Sequence, residues 1–269
     1  MKAPVRQSAF TLVEMLMVIA IVGILTAIAV PTVKGLRGAD ATLATTRQLL
    51  DDVARARQLA ISQRTTVYMV FCPQNFWTDP GFAALPASEK TKGTNLFDKQ
   101  LASYAFVTLR SIGDQPGQST VRYLTSWRSL PEGAFIANFK FFNLRNNSTP
   151  IYDPPNSVPP SAITPDRVFN VRGFEVTNNI PFPSELAPVT GIWLPYLAFN
   201  HLGQLESGED EYIPIARGSV GYARDANKVA RAAAPTLSES PQGSSTNAFM
   251  LVHIDWLTGR PRIERQEFK

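Results

Sequence analysis

The feature that most constrains this chain is a run of nineteen residues without a charge, from Met15 to Val33. As an α-helix the run would be about 28 Å long at ~1.5 Å per residue, close to the ~30 Å hydrocarbon core of a bilayer. With residues 10–13 included, the segment can span a bilayer with some tilt. Glu14 stands directly before the run. A carboxylate in an apolar span costs about 2.5–3.5 kcal/mol or more, so such a residue usually has a function.

Three interpretations of this segment are open from the residues alone. It could be a secretory signal peptide cleaved at residues 27–29 (Ala-Ile-Ala), although a glutamate that opens an over-long apolar region fits this poorly. It could be an ordinary signal anchor in which Glu14 is incidental. It could also follow a short basic leader that is cut between Ala9 and Phe10, which leaves Glu14 four residues beyond the new terminus. We favour the third interpretation.

Residues 9–31 resemble the class III signal of type IV prepilins and type II secretion pseudopilins. The stretch reads AFTLVEMLMVIAIVGILTAIAVP, with Phe10 at the cut, then Glu14, Gly23 in mid-helix and Pro31. The resemblance implies cleavage by a prepilin peptidase between Ala9 and Phe10, followed by N-methylation of Phe10. The family nearly always has glycine before the cut. Because alanine is also small, we expect cleavage after Ala9 to survive at a lower rate.

The charges of this segment give a physical reason for its residues. Cleavage frees an ammonium on Phe10, which like the Glu14 carboxylate would be costly in an apolar filament core, and pairing the two offsets much of that cost. We therefore interpret Glu14 as an assembly residue and not as a catalyst. Gly23 permits close contact between helices. Pro31 removes one backbone donor and should bend or loosen the helix.

Four parts are predicted along the chain: a cleaved leader over 1–9, a membrane-spanning or filament-core helix over 10–33, an amphipathic stalk helix over 34–64 and a β-rich head over 65–269. Basic residues divide evenly between the two flanks of the apolar run, with Lys2 and Arg6 before it and Lys34 and Arg37 after it. Their count therefore does not orient the segment. The leader resemblance implies a single pass through the inner membrane, with the N-terminus cytoplasmic and the head periplasmic, before entry into a filament.

The pattern becomes amphipathic after Gly35 and Gly38. Asp40 is a candidate cap for a helix that restarts after Gly38. Alternatively, one continuous helix from Phe10 to about Gln63 would be roughly 80 Å long. Six apolar residues are predicted on one face of the stalk and four polar residues elsewhere, namely Leu43, Leu50, Val53, Ala54, Ala60 and Ile61 against Arg47, Asp51, Arg55 and Gln58.

The head is predicted to be rich in antiparallel β-structure, so the expected fold class is α+β. Residues 65–72 are β-branched and aromatic, which indicates a strand. Turns are expected at Asn200–Gly203 and Leu257–Gly259, and an exposed proline-rich loop at Asp153–Pro165. The other strand candidates are Tyr104–Arg110, Thr120–Leu124, Ala134–Asn138, Val168–Val176, Gly191–Phe199 and Ala248–Asp255.

Residues 49–73, LLDDVARARQLAISQRTTVYMVFCP, resemble the GspH/FimT branch of minor pilins. In that branch a helix with an Ala-Arg-x-x-Ala-like stretch leads into a strand that ends near a cysteine, and Arg57 and Ala60 occupy comparable places. Cys72 is the single cysteine, so it cannot form an internal disulfide, and we predict a small core residue. Compared with a typical member, this head carries extra length between Pro73 and about Asn247 whose role the sequence does not reveal.

The charge balance argues against a general nucleic-acid footprint. The chain has 26 basic and 22 acidic residues. Without Lys2 and Arg6 of the leader, the surplus is only two, which is too small to attract a polyanion.

A local alternative lies near the C-terminus. Residues 259–262 read Gly-Arg-Pro-Arg, which matches a Gly-Arg-x-Arg pattern tied to DNA capture in FimT-like minor pilins. Arginines separated by one residue point the same way from a strand, so Arg260 and Arg262 could both reach phosphates. Against this, GspH-like subunits also end with a Gly-Arg turn, and Glu264 and Glu267 dilute the charge.

No catalytic site is predicted. The sequence has no P-loop, no Gly-x-Ser-x-Gly and no His-Glu-x-x-His. His201 and His253 are isolated in the sequence, and each is interpreted as a structural or surface residue. Trp127, Trp193 and Trp256 are interpreted as core or subunit-contact residues.

Four acidic residues near position 210 raise the question of a cation. Carboxylates bind Ca²⁺, but a solvated acidic loop is the stronger interpretation, so neither a metal nor a cofactor is expected. The residues are Glu206, Glu209, Asp210 and Glu211.

The leading hypothesis is a minor pilin or pseudopilin of a type II secretion pseudopilus or a type IV pilus, and not an enzyme. Its expected partners are the prepilin peptidase, other pilins or pseudopilins in a hetero-oligomeric filament, and the inner membrane. Two alternatives stay open: a DNA-uptake minor pilin that uses Arg260 and Arg262, and a membrane-anchored enzyme whose site the sequence does not reveal.

Overall fold

A single long helix, α1 (Leu12–Gln63), leads the computed structural model, which describes residues 12–115, 117–142, 171, 173–176, 178–188, 192–247 and 249–265. With 52 residues, α1 is about 78 Å long at ~1.5 Å per residue. It runs through Gly35 and Gly38 without a break. The continuous helix is therefore confirmed from Leu12 to Gln63, and the restart capped by Asp40 is wrong. A helical glycine costs only about 1 kcal/mol relative to alanine, so two glycines need not end so long a helix.

The head consists of strands with short helices between them. A 3₁₀ turn lies at Phe76–Thr78, and the helices are α2 (Pro80–Ala83), α3 (Ala87–Thr94), α4 (Phe139–Phe142) and α5 (Ser244–Asn247). The strands of the described residues are β1 (Val67–Phe71), β2 (Ser103–Thr108), β3 (Arg122–Tyr123), β4 (Arg128–Ser129), β5 (Ala134–Ile136), β6 (Tyr196–Phe199), β7 (Glu211–Gly221), β8 (Thr236–Glu239), β9 (Met250–Ile254) and β10 (Pro261–Arg265).

These strands form two five-stranded antiparallel sheets. Sheet A has the order β3-β2-β1-β6, with β4 also paired to β2. Sheet B has the order β10-β9-β7-β5, with β8 also paired to β7. In the centre of sheet A, Met69 lies opposite Phe106 and Leu197. The α+β class and the antiparallel pairing are confirmed.

The main core lies between α1 and both sheets. The helix contacts β1 and β6 of sheet A and β5, β7, β9 and β10 of sheet B. Full burial of a large apolar side chain contributes about 1.5–3 kcal/mol, so this shared core holds the helix to the head. The fully buried residues include Leu49, Val53, Ala56 and Ala60 from α1, Val67, Met69 and Phe71 from β1, and Ile213, Ile215, Val252 and Ile254 from sheet B.

A second core covers the other face of sheet A. Alternate residues of β1 point into it. The segment between β1 and β2 supplies Phe76, Phe82 and Phe97 to an aromatic cluster, in which Phe76 also contacts Phe182 from the segment before β6. All five residues of β1 are therefore buried. The extra length after Pro73 thus has a structural role in its described part, because it encloses the face of sheet A that α1 does not cover.

The buried face of the stalk differs from the predicted one. Leu43 is 38% exposed and Ala54 is also exposed, whereas Val53 and Ala60 are buried as predicted. Leu50 and Ile61 are half-buried at the edges of this face. The residues buried against the head recur every three or four positions and include polar ones, namely Thr42, Thr45, Thr46, Leu49, Asp52, Val53, Ala56 and Ala60.

The strand predictions hold best where apolar residues are contiguous. Strands are confirmed at β1, β2, β5, β6 and β9, each shorter than predicted, and a two-residue strand lies within 120–124. In the described residues of 168–176 and 191–195, only isolated bridges occur, at Glu175 and Trp193. The proline-rich Asp153–Pro165 lies outside the described residues. Strand β7, with eleven residues, was missed because Pro214 and two glycines interrupt its pattern.

Candidate functional site: the apolar end of α1 and its junction with the head

The first half of α1 exposes apolar side chains on every face. All residues from Leu12 to Thr26 are exposed. A helix that is apolar all round is normally buried in a protein core or a membrane, and no part of this chain's described residues covers it. Among the described residues, this half of the helix therefore presents an apolar surface to its surroundings. Its large apolar residues, each at least 51% exposed, are Leu12, Val13, Met15, Leu16, Met17, Val18, Ile19, Ile21, Val22, Ile24 and Leu25.

Glu14, Gly23 and Thr26 are the residues of this exposed segment that are not large and apolar, apart from its alanine. Glu14 is exposed in the first turn of α1, where backbone N–H groups favour a carboxylate. Thr26 donates its hydroxyl hydrogen to the Val22 carbonyl at 2.7 Å, so that polar group is satisfied inside the helix. A Cβ atom added to Gly23 would meet nothing within 4 Å, so packing within this chain does not require glycine there. Gly23 instead leaves a smooth surface for a neighbouring helix.

A buried charge joins the stalk to sheet A. Asp52 of α1 is 3% exposed. Its carboxylate accepts hydrogen bonds from the Tyr104 hydroxyl on β2 and from Arg128 Nη1 on β4, the latter at 2.7 Å. Gln48, one helical turn earlier, donates to the Tyr104 hydroxyl at 2.9 Å and to the Ser129 carbonyl at 3.0 Å. This network fixes the helix relative to two strands.

A second contact joins the stalk to two turns of the head. Arg57 Nε donates to the Thr258 carbonyl at 2.7 Å. The turn of Gly259 packs on the turn of Gly203, since a Cβ on Gly259 would lie 2.0 Å from the Gly203 carbonyl oxygen and 3.1 Å from Arg57 Cδ. Both predicted turns are confirmed. Arg57, singled out by the second resemblance, therefore lies where helix, β6–β7 turn and β9–β10 turn meet.

Comparison with known proteins bears on the exposed end of α1. Residues 5–30 match the family model for the prokaryotic N-terminal methylation motif. This methylation motif supports the resemblance to type IV prepilins, and it spans the predicted cleavage site, Glu14 and Gly23. It does not extend to the stretch that resembles the GspH/FimT branch. No curated protein and no solved structure matches the chain.

The methylation motif is only partly within the described residues. Ala9 and Phe10 lie outside them. Past the motif, α1 continues through Pro31 in helical conformation, and the bend expected there stays a prediction. Over the part of the chain that the structure describes, no helix is both long enough and apolar enough to cross a membrane.

The structure assigns different environments to Arg260 and Arg262. Arg260 is exposed in the turn before β10. Arg262 donates from Nε to Glu264 Oε1 at 2.8 Å and from Nη2 at 2.7 Å. An arginine already paired with a carboxylate offers less to a phosphate. Both arginines are exposed, but the pairing with Glu264 weakens the DNA hypothesis at Arg262.

His253 is not isolated in the fold. Its side chain is 4% exposed and stacks on Tyr212 with ring centres 4.4 Å apart. Nδ1 lies 2.5 Å from Glu264 Oε1 and Nε2 lies 2.9 Å from Asp210 Oδ2. The structural interpretation of His253 is confirmed, while His201 is exposed in the β6–β7 turn.

The acidic residues near position 210 do not behave as one solvated loop. Glu211 begins β7, is 2% exposed and pairs with the fully buried Lys140, whose Nζ lies 4.7 Å from the centre of the Phe174 ring. Asp210 accepts from the Trp256 backbone N–H at 2.9 Å. The solvated-loop interpretation is therefore wrong for Glu211. In the described ranges, no three His, Cys, Asp or Glu residues are grouped to hold a metal ion.

The cysteine and tryptophan predictions have mixed outcomes. Cys72 is fully buried, as predicted, and burial raises the pKa of its thiol. Trp127 is half-buried and donates to the Pro183 carbonyl at 2.9 Å. Trp193 and Trp256 are 52% and 40% exposed, so they are not core residues, and subunit contact stays a prediction for both.

Proposed function

We propose that this protein is a minor pilin or pseudopilin, a structural subunit of a type II secretion pseudopilus or a type IV pilus. One observation carries the proposal: the methylation motif lies on a helix whose side chains are exposed and apolar on every face from residue 12 to residue 26. Such a surface is stable only in lipid or among other apolar helices. The inner membrane would supply the first environment before assembly, and the filament core would supply the second.

The proposed life cycle assigns a role to each part of the chain. A prepilin peptidase removes residues 1–9 by cutting between Ala9 and Phe10, and Phe10 is then N-methylated. Residues 10–33 anchor the subunit in the inner membrane with the head in the periplasm, and later lie in the filament core. There the Glu14 carboxylate pairs with the amino terminus of a neighbouring subunit and sets the axial register. Pro31 lets the helix bend during this transfer.

The stalk and head then form the mechanical part of the subunit. The Asp52 network and the Arg57 contact tie α1 to both sheets, so a pull on the helix is transmitted to the head. The role requires no catalytic group, and the partners are the prepilin peptidase and other pilins or pseudopilins.

The first residue of the mature protein tests this proposal. Protein purified from native membranes should begin at Phe10 and carry one added methyl group, as read by tandem mass spectrometry of the N-terminal peptide. In cells with an inactivated prepilin peptidase, the same peptide should instead retain residues 1–9. A mature chain that begins at any other residue would contradict the proposal.

A further inference from the structure

We propose that the head binds a phosphate group in a cavity beyond the C-terminal end of α1. The cavity has a volume of about 260 Å³ and is lined by the connection from α1 to β1, by β1 itself, by the residues that follow β2 and by the β6–β7 turn. Its polar lining consists of two arginines, one histidine and three hydroxyl residues, namely Arg64, Arg110, His201, Thr65, Thr66 and Tyr68.

The charge of this phosphate cavity is unbalanced. No carboxylate lines it, and neither guanidinium makes an ion pair or side-chain hydrogen bond within the described residues. Asp114 acts electrostatically with Arg110, but its carboxylate accepts from the backbone N–H groups of Ser111 and Thr120. The two arginines, both exposed, therefore present guanidinium groups that no carboxylate of the lining pairs, and a guanidinium group can donate two parallel hydrogen bonds to a phosphate.

The hydroxyl groups of Thr66 and Tyr68 add neutral donors. Thr65 already donates to the Arg110 carbonyl at 2.9 Å, and Tyr68 accepts from Asn178 Nδ2 at 3.4 Å, which leaves the Tyr68 hydrogen for a ligand. Burial, together with the nearby Glu206, raises the pKa of Tyr68, so its hydroxyl stays protonated. Glu175 also raises the pKa of Tyr68, and neither Glu206 nor Glu175 lines the cavity.

The backbone of Arg64 is a second, independent observation. Arg64 has φ = +50° at the first position after α1, where the N–H groups of Arg64 and Thr65 bond to the carbonyls of Ile61 and Ala60 at 3.3 Å each. This is a Schellman motif, whose left-handed residue is usually glycine because other side chains are strained there. This backbone places Arg64 directly beyond the end of α1, where its side chain lines the cavity.

The arrangement suits phosphate better than a carboxylate. The polar side chains come from the α1–β1 connection, from β1, from the residue pair after β2 and from the β6–β7 turn, and so from separate segments around the cavity. A tetrahedral oxyanion has oxygens for donors on several sides, whereas a carboxylate presents only two. The negative end of the α1 dipole opposes any anion here, but Arg64 and Thr65 already cap its last carbonyls.

Inorganic phosphate is the probe for the test. With the full chain purified in detergent, we expect phosphate to bind by calorimetry and to raise the melting temperature. Arg64→Gln and Arg110→Gln should each weaken the apparent Kd at least about tenfold, because each removes a charged hydrogen-bond donor. Arg231→Gln is the matched control, since Arg231 is exposed and lines no part of the cavity, and it should stay within about twofold of the parent.

Arg64→Gly separates binding from folding. Glycine relieves the left-handed strain, so this variant should melt no lower than the parent and yet lose phosphate binding. A competition experiment with duplex DNA identifies the source of the phosphate group. If DNA displaces inorganic phosphate, DNA phosphates enter the cavity, and if it does not, the natural ligand is a smaller phosphate compound. Equal phosphate affinity in the parent, Arg64→Gln and Arg110→Gln would overturn the proposal, as would no binding by the parent.

Discussion

Asp52 shows how one side chain can hold the stalk to the head. It is almost completely buried, and it accepts hydrogen bonds from Tyr104 and Arg128 on two different strands. Replacing Asp52 with alanine leaves both donors without this partner, and breaking a buried pair is strongly destabilising. Because Arg128 is 36% exposed and water can reach it, we expect a loss of about 2–3 kcal/mol in the free energy of unfolding, measured with urea.

Asp51 supplies the control for this substitution. It is the preceding residue of the same helix and is exposed. Asp51→Ala makes the same chemical change at nearly the same height on α1, and we expect an effect below about 0.5 kcal/mol. Equal effects of the two substitutions would mean that the buried network does not stabilise the junction.

The burial of Asp52 could be inferred from the sequence, but its partners could not. Asp52 lies three residues after Leu49 and four before Ala56, so helical periodicity places it on the buried face, and a charge there predicts a buried partner. The identity of that partner could not be predicted, because Tyr104 and Arg128 are more than fifty residues away in the chain. Arg64 is similar, since only the backbone shows that it occupies a position suited to glycine.

Two turns, β6–β7 at Gly203 and β9–β10 at Gly259, set how the two sheets meet at the end of the stalk. Gly259 has φ = +62°, and a Cβ there would lie 2.0 Å from the Gly203 carbonyl oxygen. Gly259→Ala therefore combines backbone strain of about 1–2 kcal/mol with a clash that forces the turns apart, which costs about 1–3 kcal/mol more. We expect a total loss of about 3 kcal/mol in the free energy of unfolding, again measured with urea.

Gly208 isolates the contribution of backbone strain. It has φ = +69°, similar to Gly259, but a Cβ added there meets nothing within 4 Å. Gly208→Ala should therefore lower stability by only about 1 kcal/mol. If Gly208→Ala and Gly259→Ala were equally destabilising, the close packing of the two turns would not contribute to stability.

The strands were predictable where local pattern determines them. β1 reads as a continuous apolar run, which is expected for a strand buried on both faces, and both faces are covered here. β7 was not predictable in this way. Its residues include Pro214 and two glycines, and its position between β9 and β5 depends on pairing with strands distant in the chain.

For the molecule as a whole, the long N-terminal helix and the α+β class of the fold could be predicted from the sequence. The exposed apolar helix and the motif within residues 5–30 depend on local composition, which a single sequence shows directly. The structure of the head depends on contacts between segments that are distant in the chain. Neither the coverage of sheet A by the segment after Pro73 nor the cavity between Arg64 and Arg110 follows from spacing, because each joins segments separated by many residues.

The buried ionisable groups of the head predict how the whole protein responds to alkaline conditions. Burial raises the pKa of Cys72 above its ordinary 9.0 and the pKa values of Tyr104 and Tyr123 above 10.0, with a further rise at Tyr104 from its hydrogen bond to Asp52. Above these ordinary values the unfolded chain loses protons that the folded chain keeps. The free energy of unfolding should therefore be constant up to about pH 9 and fall as the pH rises further.

The size of this effect can be measured by urea unfolding between pH 8 and pH 11. Tyr104 and Tyr123 should each lower the free energy of unfolding by about 1 kcal/mol between pH 10 and pH 11. Cys72 and the raised pKa values of Tyr68 and Tyr222 add to this decline. Cys72→Ala should make the decline shallower from pH 9 upward, by about 1 kcal/mol per pH unit, because the unfolded chain then has no thiol to ionise. A free energy that stayed level to pH 11 would mean that these groups ionise as easily in the folded head as in the unfolded chain. That result would contradict a dry interior on either side of sheet A, since Tyr104 lies on the face toward α1 and Cys72 on the opposite face.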